Sequence, residues 1–223
     1  PQAWQKSGGM AIQALSIHGA RDLKFDSLEE REPQAGEVLV RIEAGGICGS
    51  DLHYYLDGGF GAVRLREPMI LGHEVSGTVA SVGAEVTGIQ VGDRVAINPS
   101  RPCGKCDYCE REWFNHCRNM RFYGSAMPFP HVQGAFREAL VVDQRQCAVY
   151  GETLDASTAA FAEPLSVLLH AAHRFGELEG RDLLITGCGP IGALGILVAR
   201  QRGARRIVVT DIAEGPLKMA REL

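Results

Sequence analysis

Four cysteines in a 15-residue window, Cys103, Cys106, Cys109 and Cys117, constrain this chain more than any other feature. Two-residue gaps let successive sulfurs turn onto one centre, and the longer arm to Cys117 brings in a fourth to complete a tetrahedron. A centre with sulfur at every position is closed, so the spacing predicts a structural zinc with no place for a substrate. Two other readings compete: a chance cluster of buried or redox cysteines, and a zinc-ribbon module that binds nucleic acid. The charges around the cluster are mixed, Arg101, Lys105 and Arg111 against Asp107, Glu110 and Glu112, which does not favour the ribbon. The formal net charge is -4 and there is no block of Lys or Arg. Phosphate binding needs clustered cations, so neither nucleic acid nor an anionic membrane is an expected partner. No apolar run approaches the roughly 20 residues of a spanning helix. Seven cysteines is an odd number. No charged start followed by an apolar stretch precedes them, so metal or catalytic use and a cytoplasmic location are expected rather than export and disulfides.

Residues 1–9 (PQAWQKSGG) precede a Met-Ala-Ile start and read as a vector remnant or disordered segment. From residue 10 to 154 the pattern is of short strands broken by glycines: 37–42, 74–82, 93–97 and 136–142 alternate apolar with polar residues, with turns at Gly83, Gly88 and Gly92. That spacing predicts a small, partly open β-barrel, with the cysteine lobe (about 101–118) inserted in it. Residues 155–175 then take helical periodicity through Ala159, Ala162, Leu165, Leu169 and Ala172, with Asp155 and Ser157 as possible caps. A strand (182–186), a glycine turn, an apolar helix (191–201), a second strand (207–210) and a helix start (215–223) make one βαβ unit with a parallel sheet. The fold class is therefore α/β, with residues 155–223 opening a doubly wound domain. A parallel pair cannot cover both its own faces, so more chain is expected after Leu223.

Three further segments supply metal-binding side chains of mixed softness: Cys48 in Gly45-Gly46-Ile47-Cys48-Gly49-Ser50-Asp51-Leu52-His53-Tyr54, His73 and Glu74 in Leu71-Gly72-His73-Glu74, and Glu163 in Phe161-Ala162-Glu163-Pro164. Sulfur, imidazole and carboxylate with an exchangeable fourth position describe a catalytic zinc site. Such a metal lowers the pKa of a bound hydroxyl so that the alkoxide can release hydride. Gly187-Cys188-Gly189-Pro190-Ile191-Gly192 follows a strand and opens a helix, the context in which a G-x-G-x-x-G turn cradles a pyrophosphate. Asp211 ends the next strand, where a carboxylate can accept from ribose hydroxyls. Ile212 follows it in place of a cation, which favours NAD over NADP. A glycine turn in some other doubly wound fold is the alternative.

These residues resemble the zinc-containing medium-chain dehydrogenase/reductase superfamily, on its sorbitol/polyol branch, from Met10 to Leu223. Ala96-Ile97-Asn98-Pro99-Ser100, Asn119 to Met127 and Phe129-Pro130-His131-Val132 are similar to the sugar-acid members of that branch. The resemblance implies a GroES-like catalytic domain followed by a Rossmann domain, and two zinc ions per chain. It also implies an NAD-linked, reversible oxidation of a secondary alcohol of a sugar acid or polyol. Cys48 and His73 match catalytic zinc ligands, and both Glu74 and Glu163 match positions that bind or approach that zinc. Ser50 matches the hydroxyl that holds the substrate alcohol, His53 the outer end of a proton relay, and Tyr54 a substrate-contacting aromatic. Arg121 and His131 bracket a loop that matches the sugar-acid members and are expected at the substrate, the Arg121 guanidinium holding its carboxylate; a surface Arg121, or one paired with a nearby acid, is the alternative. The expected partners are a small-molecule substrate and further copies of the chain, as a dimer or tetramer. A non-catalytic zinc protein of the same fold stays open as the reading from another class.

Overall fold

The computed structural model describes residues 11–223 and divides into two compact units, one ending at Glu163 and one running from Pro164 to Leu223. The expectation for residues 1–9 lies outside the described residues.

The first unit begins with a hairpin, β1 (Ala11–Gly19) and β2 (Asp22–Glu29), followed by the long strand β3 (Glu37–Gly46) and helix α1 (Gly49–Asp57). Three short strands, β4 (Gly59–Phe60), β5 (Val63–Arg64) and β6 (Met69–Ile70), lead into β7 (Glu74–Val82) and β8 (Arg94–Ile97). β9 (Ser100–Arg101) and β10 (Arg121–Phe122) flank the cysteine lobe and pair as a two-stranded ribbon. β11 (Ala139–Asp143), β12 (Cys147–Val149) and α2 (Ala156–Ala160) follow. The central sheet has the order β11-β3-β7-β8-β12 and every pairing in it is antiparallel. Its core is the row of inward residues the alternation predicts: Val38, Val40, Val75, Val79, Val95, Ile97, Leu140 and Val142, all buried.

The second unit holds most of α3 (Ala162–Phe175), then β13 (Asp182–Thr186), α4 (Pro190–Gln201), β14 (Arg206–Thr210) and α5 (Glu214–Glu222). β13 and β14 are parallel and in register, Asp182 opposite Arg206 through Thr186 opposite Thr210. Leu183, Leu168 and Leu165 pack with Ala172, Leu178 and Val198 to form its core.

Three details differ from the sequence reading. The first unit continues past residue 154 to Glu163, because the Ser76 hydroxyl donates to the Ala156 carbonyl at 2.6 Å and ties α2 to the sheet. The single helix expected over 155–175 is two. Pro164 has no N–H and its ring would clash with the carbonyl four residues back, so the turn through Ala160 cannot run on and breaks at Phe161. Asp155 caps the first of the two, accepting from the Thr158 amide at 2.6 Å, and Ser157 lies inside it. The last strand expected from Phe136 starts at Ala139 instead. Phe136 fills the space over Gly72 and Gly45, where any Cβ would strike its ring.

Candidate metal centres and dinucleotide turn

Cys48 lies just beyond the end of β3, and His73 and Glu74 lie at the start of β7. Because β3 and β7 run antiparallel, with Gly46 opposite Glu74, these two places are the same end of the sheet. The donor atoms of Cys48, His73 and Glu74 come within 4.8 Å of one another. Gly46 leaves room for this: a Cβ there would overlap the Glu74 carboxylate. Asp51, in the first turn of α1, fastens the two ligand segments together. It is 3% exposed and accepts from the Cys48 amide at 3.0 Å and from the Gly72 amide at 3.2 Å.

The electrostatics of the trio follow from its geometry. A hydrogen bond from His73 pulls the Cys48 thiol below its ordinary range, against the cost of burial, and the Ser50 hydroxyl and amide add to it. Burial opposes the charged form of His73, but the Cys48 hydrogen bond and the field of Asp51 outweigh it and raise the imidazole. Burial raises the carboxyls of Glu74 and Glu163, with His73 pulling both the other way. Nδ1 of His73 is buried and has no hydrogen-bond partner among the described residues, a costly arrangement for an imidazole unless another ligand completes it. Sulfur, imidazole and carboxylate converging within this distance, on an imidazole with one ring nitrogen unsatisfied, fit a zinc with an open position. Of the two glutamates left open by the sequence, Glu74 closes into the trio, while Glu163 stands near enough for its charge to act on His73.

In the lobe, the sulfurs of Cys103, Cys106, Cys109 and Cys117 also come within 4.8 Å of one another. Backbone amides of Arg118 and Cys109 aimed at Cys106 draw its thiol down to about 6, while burial pushes Cys109 up to about 11. Between residues 101 and 118 the only buried positions are Cys109 and Cys117. A segment with no apolar core of its own needs a cross-link, and four converging sulfurs fit a closed zinc site. A two-pronged Arg118–Asp107 pair at 2.6 and 2.9 Å, with the guanidinium over the Tyr108 ring, covers one side.

Other expected residues fall differently. Ser50 is beside the Cys48 sulfur, and His53 is exposed on α1 with Asp57 at 3.7 Å. Tyr54, expected to touch substrate, is instead 2% exposed. Its ring packs with Ile17, Met69, Leu71 and Ala126, and its hydroxyl accepts from the Ala126 amide at 3.0 Å. His131 is also structural: it is buried, Nε2 accepts from the Arg66 amide at 2.9 Å, and Nδ1 donates to the Pro128 carbonyl at 2.9 Å. Arg121 is exposed on β10. The next residue, Phe122, lays its ring against His73 at 5.3 Å between centroids, so strand alternation turns Arg121 to the other face. Asp51, Phe122 and Phe136 are the site neighbours that sequence reasoning missed. The signal for Asp51 was present as a Cys-x-x-Asp start to a helix, an arrangement that returns a side chain to the capping backbone.

In the second unit, Gly187 takes φ +85°, which only glycine adopts freely, and its amide donates to the Thr210 carbonyl at 2.8 Å. A Cβ on Gly192 would overlap the Gly187 carbonyl, so α4 packs tightly under the turn. Gly189 caps α4, Pro190 occupies its first turn, and Ile191 follows half exposed. A Cβ on Gly189 would meet nothing, which leaves open the space where a pyrophosphate could meet the helix N-terminus. Asp211 does more than expected. One oxygen accepts from the Cys188 amide at 2.7 Å and the other from the Ala213 amide at 2.8 Å, so this carboxylate already fastens the turn.

A barrel-like antiparallel sheet with a four-cysteine lobe, an open trio at a strand end and a glycine turn under a parallel pair define a zinc-type dehydrogenase scaffold. The alcohol dehydrogenase GroES-like domain family matches residues 34–151. L-idonate 5-dehydrogenase (NAD(P)(+)) of Escherichia coli strain K12 is 47% identical over 186 residues, 83% of this chain and 54% of that protein. Sorbitol dehydrogenase of Bacillus subtilis strain 168 is 37% identical over 212 residues, 95% of this chain and 59% of that protein. The crystal structure of L-idonate 5-dehydrogenase from E. coli K-12 superposes with a TM-score of 0.88 at 41% identity, covering 96% of this chain and 61% of that one. The chain thus spans a little over half the length of these curated relatives. It belongs to the alcohol dehydrogenase GroES-like domain family, on the polyol branch of the zinc-containing medium-chain dehydrogenase/reductase superfamily.

Proposed function

We propose that this chain carries the catalytic centre and cofactor turn of a zinc-dependent oxidoreductase that reversibly oxidises a secondary alcohol of a sugar acid or polyol with NAD. The observation that carries this is the Cys48–His73–Glu74 trio with the orphaned, buried Nδ1 of His73. A bound zinc supplies Lewis acidity to the substrate hydroxyl. The chain's own residues do the rest. His73 and Ser50 hold the Cys48 sulfur towards its thiolate, and Asp51 keeps the two ligand segments in place. The Ser50 hydroxyl, beside Cys48, would accept the alcohol proton as it passes its own on towards solvent. His53 lies three residues on along the same helix, at its exposed side, where a proton can leave for solvent. Gly187, Gly189, Pro190, Ile191 and Gly192 would hold the pyrophosphate, and Asp211 would face the ribose with the lone pairs its backbone bonds leave free.

L-idonate, oxidised at C5 to 5-keto-gluconate, is the substrate best supported, on the 47% identity with the E. coli enzyme of that name. Sorbitol is the second reading, on the 37% identity with sorbitol dehydrogenase, with threonine and butanediol as further substrates of that reading. The intact trio speaks against a non-catalytic zinc protein. NADP remains an alternative cofactor. Among the described residues no helix is long and apolar enough to cross a membrane. Seven free thiols suit a reducing, cytoplasmic setting, and exposed Trp113 and Phe114 on the lobe suit a homo-oligomer, dimer or tetramer. The test is turnover by the full chain on L-idonate, sorbitol and 2,3-butanediol, with NAD and NADP side by side. A preference for sorbitol over L-idonate at equal concentration would move the substrate to the second reading, and no turnover on any of them would remove the enzyme reading.

A further inference from the structure

The ribbon that flanks the lobe carries an electrostatic conflict. β9 and β10 put Arg101 directly opposite Arg121, and side chains directly opposite in an antiparallel pair share a face and stand about 5 Å apart at Cβ. Like charges in that relation repel. The acids whose charge reaches Arg101 are already engaged: Glu37 takes both prongs of Arg31 at 2.6 and 2.9 Å, and Asp143 takes both prongs of Arg145 at 2.9 and 2.8 Å. Among the described residues neither Arg101 nor Arg121 forms an ion pair, and the Arg121 guanidinium reaches only the Pro130 carbonyl, at 3.5 Å.

A third guanidinium opens on the same place. Arg137 is partly buried, and Nε and Nη2 both donate to one carbonyl, that of Gly134, at 2.9 and 2.6 Å. No carboxylate balances it among the described residues, and burial brings it down to about 10. Arg101, Arg121 and Arg137 line one groove of about 330 Å³, together with Tyr123 and Leu140. Of the acids at its rim, Glu30 is paired with Arg41 and Glu29 has an interaction of its own. A fourth guanidinium of the groove, Arg31, is held by Glu37, which leaves three cations without a carboxylate of their own in a largely polar groove, two of them set against each other, and these need an anion that the fold does not supply.

We propose that this groove binds a compact polyanion, a small molecule with two or more carboxylate or phosphate groups, held between Arg101, Arg121 and Arg137. The forks of Arg101 and Arg121 can pair with either kind of group through two parallel hydrogen bonds, while Arg137, its fork held by Gly134, contributes its charge. The site lies on the face of β10 opposite to Phe122 and His73, so it is separate from the metal trio and independent of the proposed catalytic activity.

The test uses the full chain at low ionic strength, with citrate, inorganic pyrophosphate and sodium chloride at matched ionic strength. Calorimetry reads affinity and thermal unfolding reads stability. Citrate, pyrophosphate or both bind and raise the melting temperature where chloride does not, and the stronger of the two identifies carboxylate or phosphate as the preferred group. Arg121→Gln and Arg101→Gln each weaken that binding at least tenfold, about 1.4 kcal/mol. With no anion added they melt no lower than the native chain, because the opposed charges are relieved. Arg64→Gln, outside the groove, keeps native binding. An equal response from the Arg121→Gln and native chains, or no response beyond that to chloride, overturns the proposal. Self-association of the native chain that Arg121→Gln abolishes would assign the groove to a second copy, and also overturns it.

Discussion

Gly46→Ala is expected to release the open-site metal without touching any ligand. Gly46 is not at a positive φ, so alanine suits its backbone and would by itself stabilise the fold by about 0.4–1 kcal/mol through the unfolded state. The obstacle is local. The new Cβ overlaps a Glu74 carboxylate oxygen and lies 3.2 Å from Glu74 Cβ and 3.3 Å from Cδ. Both residues sit in a paired ladder, so the backbone resists moving, and the carboxylate at the end of a flexible side chain swings away instead. An off-rotamer side chain costs about 0.5–1.5 kcal/mol, which nearly cancels the backbone gain. Melting of the metal-free chain should therefore change little. Metal binding should not escape so lightly. Displacing a group that orients or completes a site weakens metal affinity by about 10–100-fold, or about 1.4–2.8 kcal/mol. The assay is zinc per chain after equilibration in graded zinc buffers, read by atomic emission, with the four-cysteine lobe as internal reference. If Gly46→Ala holds open-site zinc as tightly as the native chain while Glu163→Gln strips it, Glu163 is the carboxylate ligand and the trio is wrongly drawn.

Cys106→Ser should empty the lobe while the Cys48 site keeps its zinc. Since structural zinc contributes on the order of 10 kcal/mol of coupled folding and binding, the lobe should become protease-sensitive, and unchanged zinc content and proteolysis would refute a structural role. Tyr54→Phe strands the buried Ala126 amide at a cost of about 1–3 kcal/mol, or roughly 2–4 °C of melting temperature per kcal/mol; a native melting curve with impaired substrate binding would restore Tyr54 to the substrate. Asp211→Ala should weaken both NAD and NADP in equilibrium binding, because the Cys188 and Ala213 amides lose their acceptor, with NAD weakened more. An unchanged affinity for NADP would mean that the two backbone bonds are not what shapes the turn.

What could be read from the sequence was what is local in the chain. The 182–186 strand and the turn-to-helix step at residues 187–192 appear as expected, because apolar runs bounded by glycine have few other solutions. The four-cysteine lobe was legible for the same reason, its spacing being a geometric statement in itself. Tyr54 was harder. It lies beside a ligand motif, where a resemblance suggests substrate contact, yet it is three residues after Asp51, and those two are the buried positions of α1. The helical spacing held the answer, since residues three apart share a face. Arg121 could not have been settled without the fold. A strand of two residues has no periodicity of its own, and its facing is known only once Phe122 is seen on His73 and Arg101 across the ribbon.

The metal trio was legible as residue types but not as a place, and the reason lies in the sheet. Twenty or more residues separate Cys48 from His73, with a helix and three short strands between them. What unites the two is that β3 ends where β7 begins, so the ladder itself brings Gly46 opposite Glu74. A one-residue slip in that ladder would turn Glu74 to the other face and Val75 into its place, burying a carboxylate in the row now formed by Val38, Val40, Val75 and Val79. The hydrophobic alternation of β7 therefore guards the metal site as well as the core. Asp51 reinforces the same register from outside the sheet, since its two oxygens reach amides on both sides of the gap. Burying that carboxylate raises its pKa, a cost the fold bears where the two ligand segments must stay aligned.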